Sequence, residues 1–201
     1  MPGKFGNLSE INTKTYQMRK LIYSINVTLD GTCDHTKALA PDPEAYGYYT
    51  AFMREGGTLL YGRVTYQLMV PFWPDRAKAD SGDAFAKAFD AVPNRVVFSR
   101  TLKSVDDPKA TIVRGDLREE VMKLKQQEGK PILAGGVDLA SQLMALDLID
   151  EYRIVVQPVL VGQGRRLLEG IALPEKLRLE LVETKLLSKG GFVALHYVRN
   201  R

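Results

Sequence analysis

The sequence predicts an α/β chain: a three-layer α/β/α domain around a mostly parallel sheet that closes with a C-terminal antiparallel hairpin. Three observations predict it. Short runs of β-branched and aromatic residues alternate with helix-like segments along most of the length. Glycine-bearing corners stand where strands pass into helices, at Gly62-Arg63-Val64-Thr65 and at Ala134-Gly135-Gly136-Val137. Two late strand-like runs flank Gly190-Gly191, a dipeptide suited to a hairpin turn.

The elements follow in order. Lys20 to Val27 (KLIYSINV) reads as a strand, ended by the turn Leu29-Asp30-Gly31. Pro41-Asp42-Pro43-Glu44 opens a helix to about Glu55, since proline lacks a donor that would go unused there and the dipole favours acids. Gly56-Gly57 stops it, and Thr58-Leu59-Leu60-Tyr61 is a short buried strand leading to a helix from Gly62. A helix from Asp83 to Ala91 precedes the strands Arg95-Val96-Val97-Phe98 and Thr111-Ile112-Val113. A helix from Asp116 to Gln127, the strand Pro131 to Ala134 and a helix from Val137 to Ala145 come next. Strands Glu151 to Gln157, Leu177 to Leu187 and Phe192 to Arg199 complete the chain. Asp150-Glu151 is read as closing a helix and starting a strand.

Composition bounds the function. The 201 residues, 45% hydrophobic and 26% charged, suit one globular domain, taken as 19–201 behind a flexible or partner-contacting extension over 1–18. No apolar run nears the roughly 20 residues that span a bilayer, and Met1-Pro2-Gly3-Lys4-Phe5 lacks a signal peptide's apolar block, so a cytoplasmic protein is expected. Cys33 is the single cysteine, which excludes an intrachain disulfide and agrees with a reducing compartment. With His35 and His196 as the two histidines, no metal site is expected. The net charge of +4 is spread among acids, as in Lys123-Leu124-Lys125-Gln126-Gln127-Glu128, whereas nucleic-acid binders concentrate it on one face. No nucleic-acid or membrane partner is expected.

The candidate chemistry lies at the corners. Ligands in open α/β sheets bind beyond the carboxyl ends of strands. Gly135-Gly136 lets a phosphate approach the backbone, and the helix after it offers free N–H groups. Thr65 can cap its helix or bind phosphate, and Arg63 and Arg100 carry guanidinium groups matched to phosphate oxygens. Together with Ser99-Arg100-Thr101 these corners suggest a long polyanionic ligand, a dinucleotide. Gly162-Gln163-Gly164 is followed by Leu167 where a third glycine would stand, so the Rossmann fingerprint is absent. Pro71-Phe72-Trp73-Pro74 reads as a pocket wall, a subunit contact or core packing under a loop. Arg165-Arg166 reads as surface charge or a substrate-phosphate site.

Taken in order, these segments resemble the dihydrofolate reductase-like superfamily, and most nearly stand-alone proteins related to the reductase domain of bifunctional riboflavin-pathway deaminase-reductases. The matching pieces are Arg19-Lys20-Leu21-Ile22 through Thr28-Leu29-Asp30-Gly31, Gly62-Arg63-Val64-Thr65-Tyr66, Val97-Phe98-Ser99-Arg100-Thr101, Ala134-Gly135-Gly136-Val137, Leu148 to Ile154, and Gln157 to Gly164. The resemblance implies NADPH as cofactor. Gly62, Arg63, Val64 and Thr65 then resemble a phosphate-holding turn, Ser99, Arg100 and Thr101 the loop gripping the 2′-phosphate, and Gly135, Gly136, Val137, Asp138 and Leu139 the pyrophosphate corner. Val27, near the end of the first strand, is placed beside the nicotinamide.

The substrate side departs from the family. Tyr48 stands where folate reductases carry an acid, and Ser24 and Ala134 stand where riboflavin-pathway reductases carry a lysine and a glutamate. Asp30, Glu44 and Tyr48 are the candidate proton donors, each with a plainer reading as turn residue, helix-start acid or half-buried aromatic. The expectation is an NADPH-dependent reductase, a homodimer, acting on a small pyrimidine- or pterin-like heterocycle and resembling 5-amino-6-(5-phosphoribosylamino)uracil reductase. The alternative is an NADPH-binding sensor or structural protein without turnover.

Overall fold

The computed structural model describes residues 18–37, 39–79, 82–187 and 190–201. The expected N-terminal extension, up to residue 17, lies outside the described residues. In chain order the elements are β1 (Leu21–Thr28), α1 (Pro43–Glu55), β2 (Thr58–Gly62), α2 (Arg63–Met69), α3 (Phe72–Lys78), α4 (Ala84–Ala91) and β3 (Asn94–Phe98). They continue with β4 (Ala110–Val113), α5 (Leu117–Gln126), β5 (Ile132–Ala134), α6 (Asp138–Ala145), β6 (Glu151–Gln157), β7 (Glu180–Leu186) and β8 (Val193–Val198).

The strands form one sheet in the order β4-β3-β2-β5-β1-β6-β8-β7. The first six in that order are parallel; β8 runs antiparallel to β6, and β7 antiparallel to β8. This is the predicted dihydrofolate reductase-like arrangement. The carboxyl ends of the parallel strands, at Val113, Phe98, Gly62, Ala134, Thr28 and Gln157, therefore share one edge, where α/β sheets bind ligands.

Strand alternation divides the core between two faces. Leu21, Tyr23, Leu60 and Ile132 pack with Leu139, Leu143 and Val121 of α6 and α5. Ile22, Leu59, Val97 and Leu133 pack with Phe52 of α1 and Phe89 of α4. The helices begin at the acids the sequence offers: Asp42, Asp83 and Asp116 accept hydrogen bonds from the backbone N–H of Ala45, Ala86 and Glu119. Asp150 does more than separate elements. Its carboxylate accepts from Leu21 N at 2.7 Å and from the buried Lys125 ammonium at 2.6 Å, fastening α5 to the start of β1.

Two expectations need correction. Pro71-Phe72-Trp73-Pro74 is not a loop, because Phe72, Trp73 and Pro74 form the first turn of α3. A proline there costs no hydrogen bond, since the first N–H groups of a helix have no intrahelical acceptor. Trp73 packs edge-on against Phe85, ring centroids 4.6 Å apart, and with Phe72 it also lines a cavity, so its half-buried ring serves both as core packing and as a pocket wall. The strand expected from Leu177 starts instead at Glu180, and its ladder with β8 shifts register between Leu181 and Glu183. Among the described residues no helix is long and apolar enough to cross a membrane.

Candidate functional site

A cleft of about 720 Å³ opens at the carboxyl ends of β2, β3 and β4 and reaches the start of α6. Of the predicted cofactor residues, Gly62, Arg63, Val64, Thr65, Ser99, Arg100, Thr101, Asp138 and Leu139 line it. Gly135, Gly136, Val137 and Val27 do not. Gly136 lies behind Thr65 instead: its φ is +85°, and a β-carbon there would sit 3.3 Å from Thr65 Cβ and overlap Thr65 Oγ1. Its carbonyl accepts the Tyr23 hydroxyl at 2.8 Å. The glycine corner after β5 thus abuts the helix start after β2.

Positive charge and free donors converge on the cleft. Arg63 reaches Gln67 Oε1 of its own helix at 2.9 Å. The Arg100 guanidinium has no partner among the described residues. Ser99 Oγ accepts from Thr101 N at 3.2 Å and Leu102 N at 2.9 Å, shaping the loop that carries Arg100. No side chain caps α6, and its first intrahelical bond runs from Ser141 N to Val137 O. The N–H groups of Asp138 and Leu139, both of which line the cleft, therefore have no intrahelical acceptor and face the site an anion would take.

Sequence reasoning missed Arg114. It follows β4, lines the same cleft as Arg63, and donates to Leu102 O. The signal was present: Val113-Arg114-Gly115-Asp116 repeats the strand-end arginine with a nearby glycine seen at Gly62-Arg63. The two carboxylates lining the cleft are already engaged. Asp116 caps α5, and Asp138 pairs with Arg165, Arg165 Nη1 standing 3.2 Å from Asp138 Oδ2. Arg165 thereby ties the segment after β6 to the start of α6. The donor set fits a phosphate-rich dinucleotide: an unpartnered guanidinium, two further arginines, helix N–H groups and the Thr65 hydroxyl.

The three candidate proton donors do not form one cluster. Asp30 accepts from the Thr28 hydroxyl, and from Gly162 N at 2.8 Å and Val161 N at 3.4 Å. The Thr28 hydrogen bond, helped by those backbone donors, holds its carboxyl below the usual carboxylate range. It is an anion that ties the turn after β1 to the turn after β6. Glu44 is exposed in the first turn of α1. Tyr48 is half-buried against Val155, Phe192 and Ala194. Burial pushes its hydroxyl above the ordinary phenol range, against the opposing pull of the Arg153 guanidinium.

Arg153 also escaped the sequence reading. It stands opposite Ser24 in the β1–β6 ladder, so both side chains share a face. Its Nε is buried without a hydrogen bond, while Nη2 lies 3.5 Å from Glu151 Oε2. A cation therefore adjoins the strand position that carries no lysine here. Ala134, at the end of β5, is buried and contributes no ionisable group.

Fold and cleft together define a domain of the dihydrofolate reductase-like fold with a ligand cleft at the carboxyl ends of its parallel strands. The chain belongs to the RibD C-terminal domain family, which it matches over residues 19–193. It is 31% identical over 183 residues to the uncharacterized protein YyaP of Bacillus subtilis (strain 168), covering 89% of this chain and 94% of that one. Among solved structures it resembles a candidate riboflavin biosynthesis protein of Shewanella sp. PV-4, with TM-score 0.69, 23% identity, and 90% and 99% of the two chains covered. It also resembles the diaminohydroxyphosphoribosylaminopyrimidine deaminase/5-amino-6-(5-phosphoribosylamino)uracil reductase of Thermotoga maritima. There the TM-score is 0.65 at 16% identity, and 92% of this chain overlies 57% of that one.

Proposed function

We propose that this protein is an NADPH-dependent reductase that delivers hydride to a small pyrimidine- or pterin-like heterocycle. The observation that carries the reading is the convergence of Arg63, Arg100 and Arg114 with the uncapped start of α6 on one cleft. Arg100 and Arg114 suit a terminal phosphate, being guanidinium groups on neighbouring strand ends that can bind it bidentately. Thr65 and the α6 N–H groups suit the pyrophosphate. NADPH, when bound, supplies the hydride. The chain's own task is to hold the two reacting rings in register and keep water from between them.

Among the candidate donors Tyr48 is the one whose chemistry suits donation near neutral pH. Its hydroxyl stays protonated, whereas Asp30 is held as the carboxylate. Arg153, next to Tyr48, would stabilise the phenolate left by proton transfer.

One observation favours the second reading, an NADPH-binding sensor without turnover. Ser24 and the buried Ala134 leave two positions without ionisable side chains where the resembling reductases carry a lysine and a glutamate. Calorimetric titration with NADPH and NADH, followed by a turnover assay on pyrimidine and pteridine acceptors, separates the readings. Tight NADPH binding with acceptor-dependent oxidation supports the reductase. Binding with no oxidation of any acceptor favours the sensor, and absence of binding at millimolar NADPH overturns both.

A further inference from the structure

We propose that Arg165 sets the affinity of the cleft for its cofactor by neutralising Asp138, a role that rests on the nucleotide reading above. Asp138 is the first residue of α6 and lines the cleft. An acid there suits the helix dipole, but it stands where the dipole and the uncapped N–H groups would receive the pyrophosphate. Left alone, the carboxylate would repel that anion and compete with it for the same donors. Arg165 removes the conflict. Its guanidinium meets Asp138 as a fork, Nη1 donating to Oδ2 at 3.2 Å and Nη2 to Oδ1, so both carboxylate oxygens are engaged. No side chain caps α6, so neither oxygen occupies its first N–H groups. Among the described residues no other cation pairs with Asp138. The second carboxylate of the cleft, Asp116, is engaged at the start of its own helix by Glu119 N.

The backbone holds Arg165 in place without help from the ion pair. Cys33 N donates to Arg165 O at 2.7 Å, and Thr32 pairs with Arg166 in an antiparallel bridge. Gly164, at φ +144°, packs so closely on Thr32 that a β-carbon would overlap Thr32 Cγ2. Further along, Leu168 N donates to Ser141 Oγ of α6 at 3.2 Å. The segment is therefore fastened both to the chain after β1 and to α6, and removing the guanidinium leaves those contacts intact. Arg165 does not itself line the cleft, so it is a positioning residue that acts through Asp138. The two side chains are 47% and 56% exposed, which makes the pair one that added salt weakens. Its place also sets what it discriminates. The start of α6 faces the pyrophosphate, which NADPH and NADH share, whereas Arg100 and Arg114 suit the 2′-phosphate. Arg165 therefore tunes overall affinity and not the choice between the two.

The test is calorimetric titration of the full chain with NADPH and with NADH at low ionic strength, for wild type, Arg165→Ala, Asp138→Asn and the double variant. Arg165→Ala should weaken both cofactors by the same factor, about fivefold, the scale of one exposed charge pair. That loss should shrink in about 0.5 M salt. Asp138→Asn, alone or combined with Arg165→Ala, should bind both cofactors no more weakly than wild type, because the repelling charge is gone. Should thermal melts show that Arg165→Ala disturbs the fold, Asp138→Asn alone carries the test, since losing a carboxylate that assists the cofactor would weaken binding. Wild-type affinity in Arg165→Ala would overturn the proposal and leave the cofactor reading standing. So would a loss confined to NADPH, a double variant as weak as Arg165→Ala, or an Asp138→Asn variant weaker than wild type. A wild type that binds neither cofactor at about millimolar concentration would overturn the cofactor reading and the proposal together.

Discussion

Gly136 and Thr65 occupy adjoining space with no room for another atom: a β-carbon on Gly136 would overlap the Thr65 hydroxyl oxygen. Gly136 takes a φ of +85°, open to glycine at little cost, and its carbonyl is held by Tyr23. The corner after β5 can therefore nest against the first turn of α2. That contact turns two weak local patterns into one cleft wall, with Thr65 placed between the glycines and the arginines.

Gly136→Ala should destabilise the fold by about 2–3 kcal/mol, roughly 1 from the backbone conformation and the rest from overpacking against Thr65. Adding Thr65→Ala should recover the overpacking part and leave the backbone part. Urea unfolding of the single and double variants measures both. A double variant as unstable as the single would show that the Thr65 contact is not the source.

Arg100→Ala and Arg114→Ala should each weaken NADPH binding about tenfold, the scale of one charged hydrogen-bonding partner. Binding of NADH, which lacks the 2′-phosphate, should change little. Calorimetry with both cofactors reads the difference directly, and equal losses for the two would remove these arginines from the 2′-phosphate site.

Tyr48→Phe should lower turnover at least tenfold, within the range of a lost general acid, with NADPH affinity preserved. Asp30→Asn should act on the fold instead, lowering thermal stability as the charge-assisted bonds from Thr28 and Gly162 weaken. Paired measurement of kcat and thermal stability for the two variants distinguishes these roles. A fully active Tyr48→Phe enzyme would return the donor's place to bound water.

Acid should unfold the protein partly through Asp83. Burial alone would raise its carboxyl, but hydrogen bonds from Tyr46, Ala86 N and Arg76 outweigh burial and hold it at about 2. A depressed carboxylate contributes stability that is complete above its unfolded value of about 3.9 and fades as the pH falls toward the folded value. Asp150 acts in the same direction: burial is opposed and overcome by Arg201, Leu21 N and Lys125. The stability gap between wild type and Asp83→Asn should therefore shrink between about pH 5 and pH 2 in urea titrations. A gap that is constant over that window would contradict the assignment.

The sequence by itself determined the order and kind of most elements and the membership of the glycine and arginine corners. Those features are local. Proline and aspartate at helix starts, glycine at strand ends and the change from period 2 to period 3.6 act within a few residues. The helix through Phe72 and Trp73 was misread because flanking prolines signal a loop as readily as a first turn. Only the tertiary structure decided the rest. Strand order brought Arg114 and Arg63 to one cleft and Arg153 beside Ser24, packed Gly136 on Thr65, and bound Asp30 to the turn at Gly162. Each of those pairings joins residues far apart in the chain, and it is fixed by which strand lies next to which and in what register.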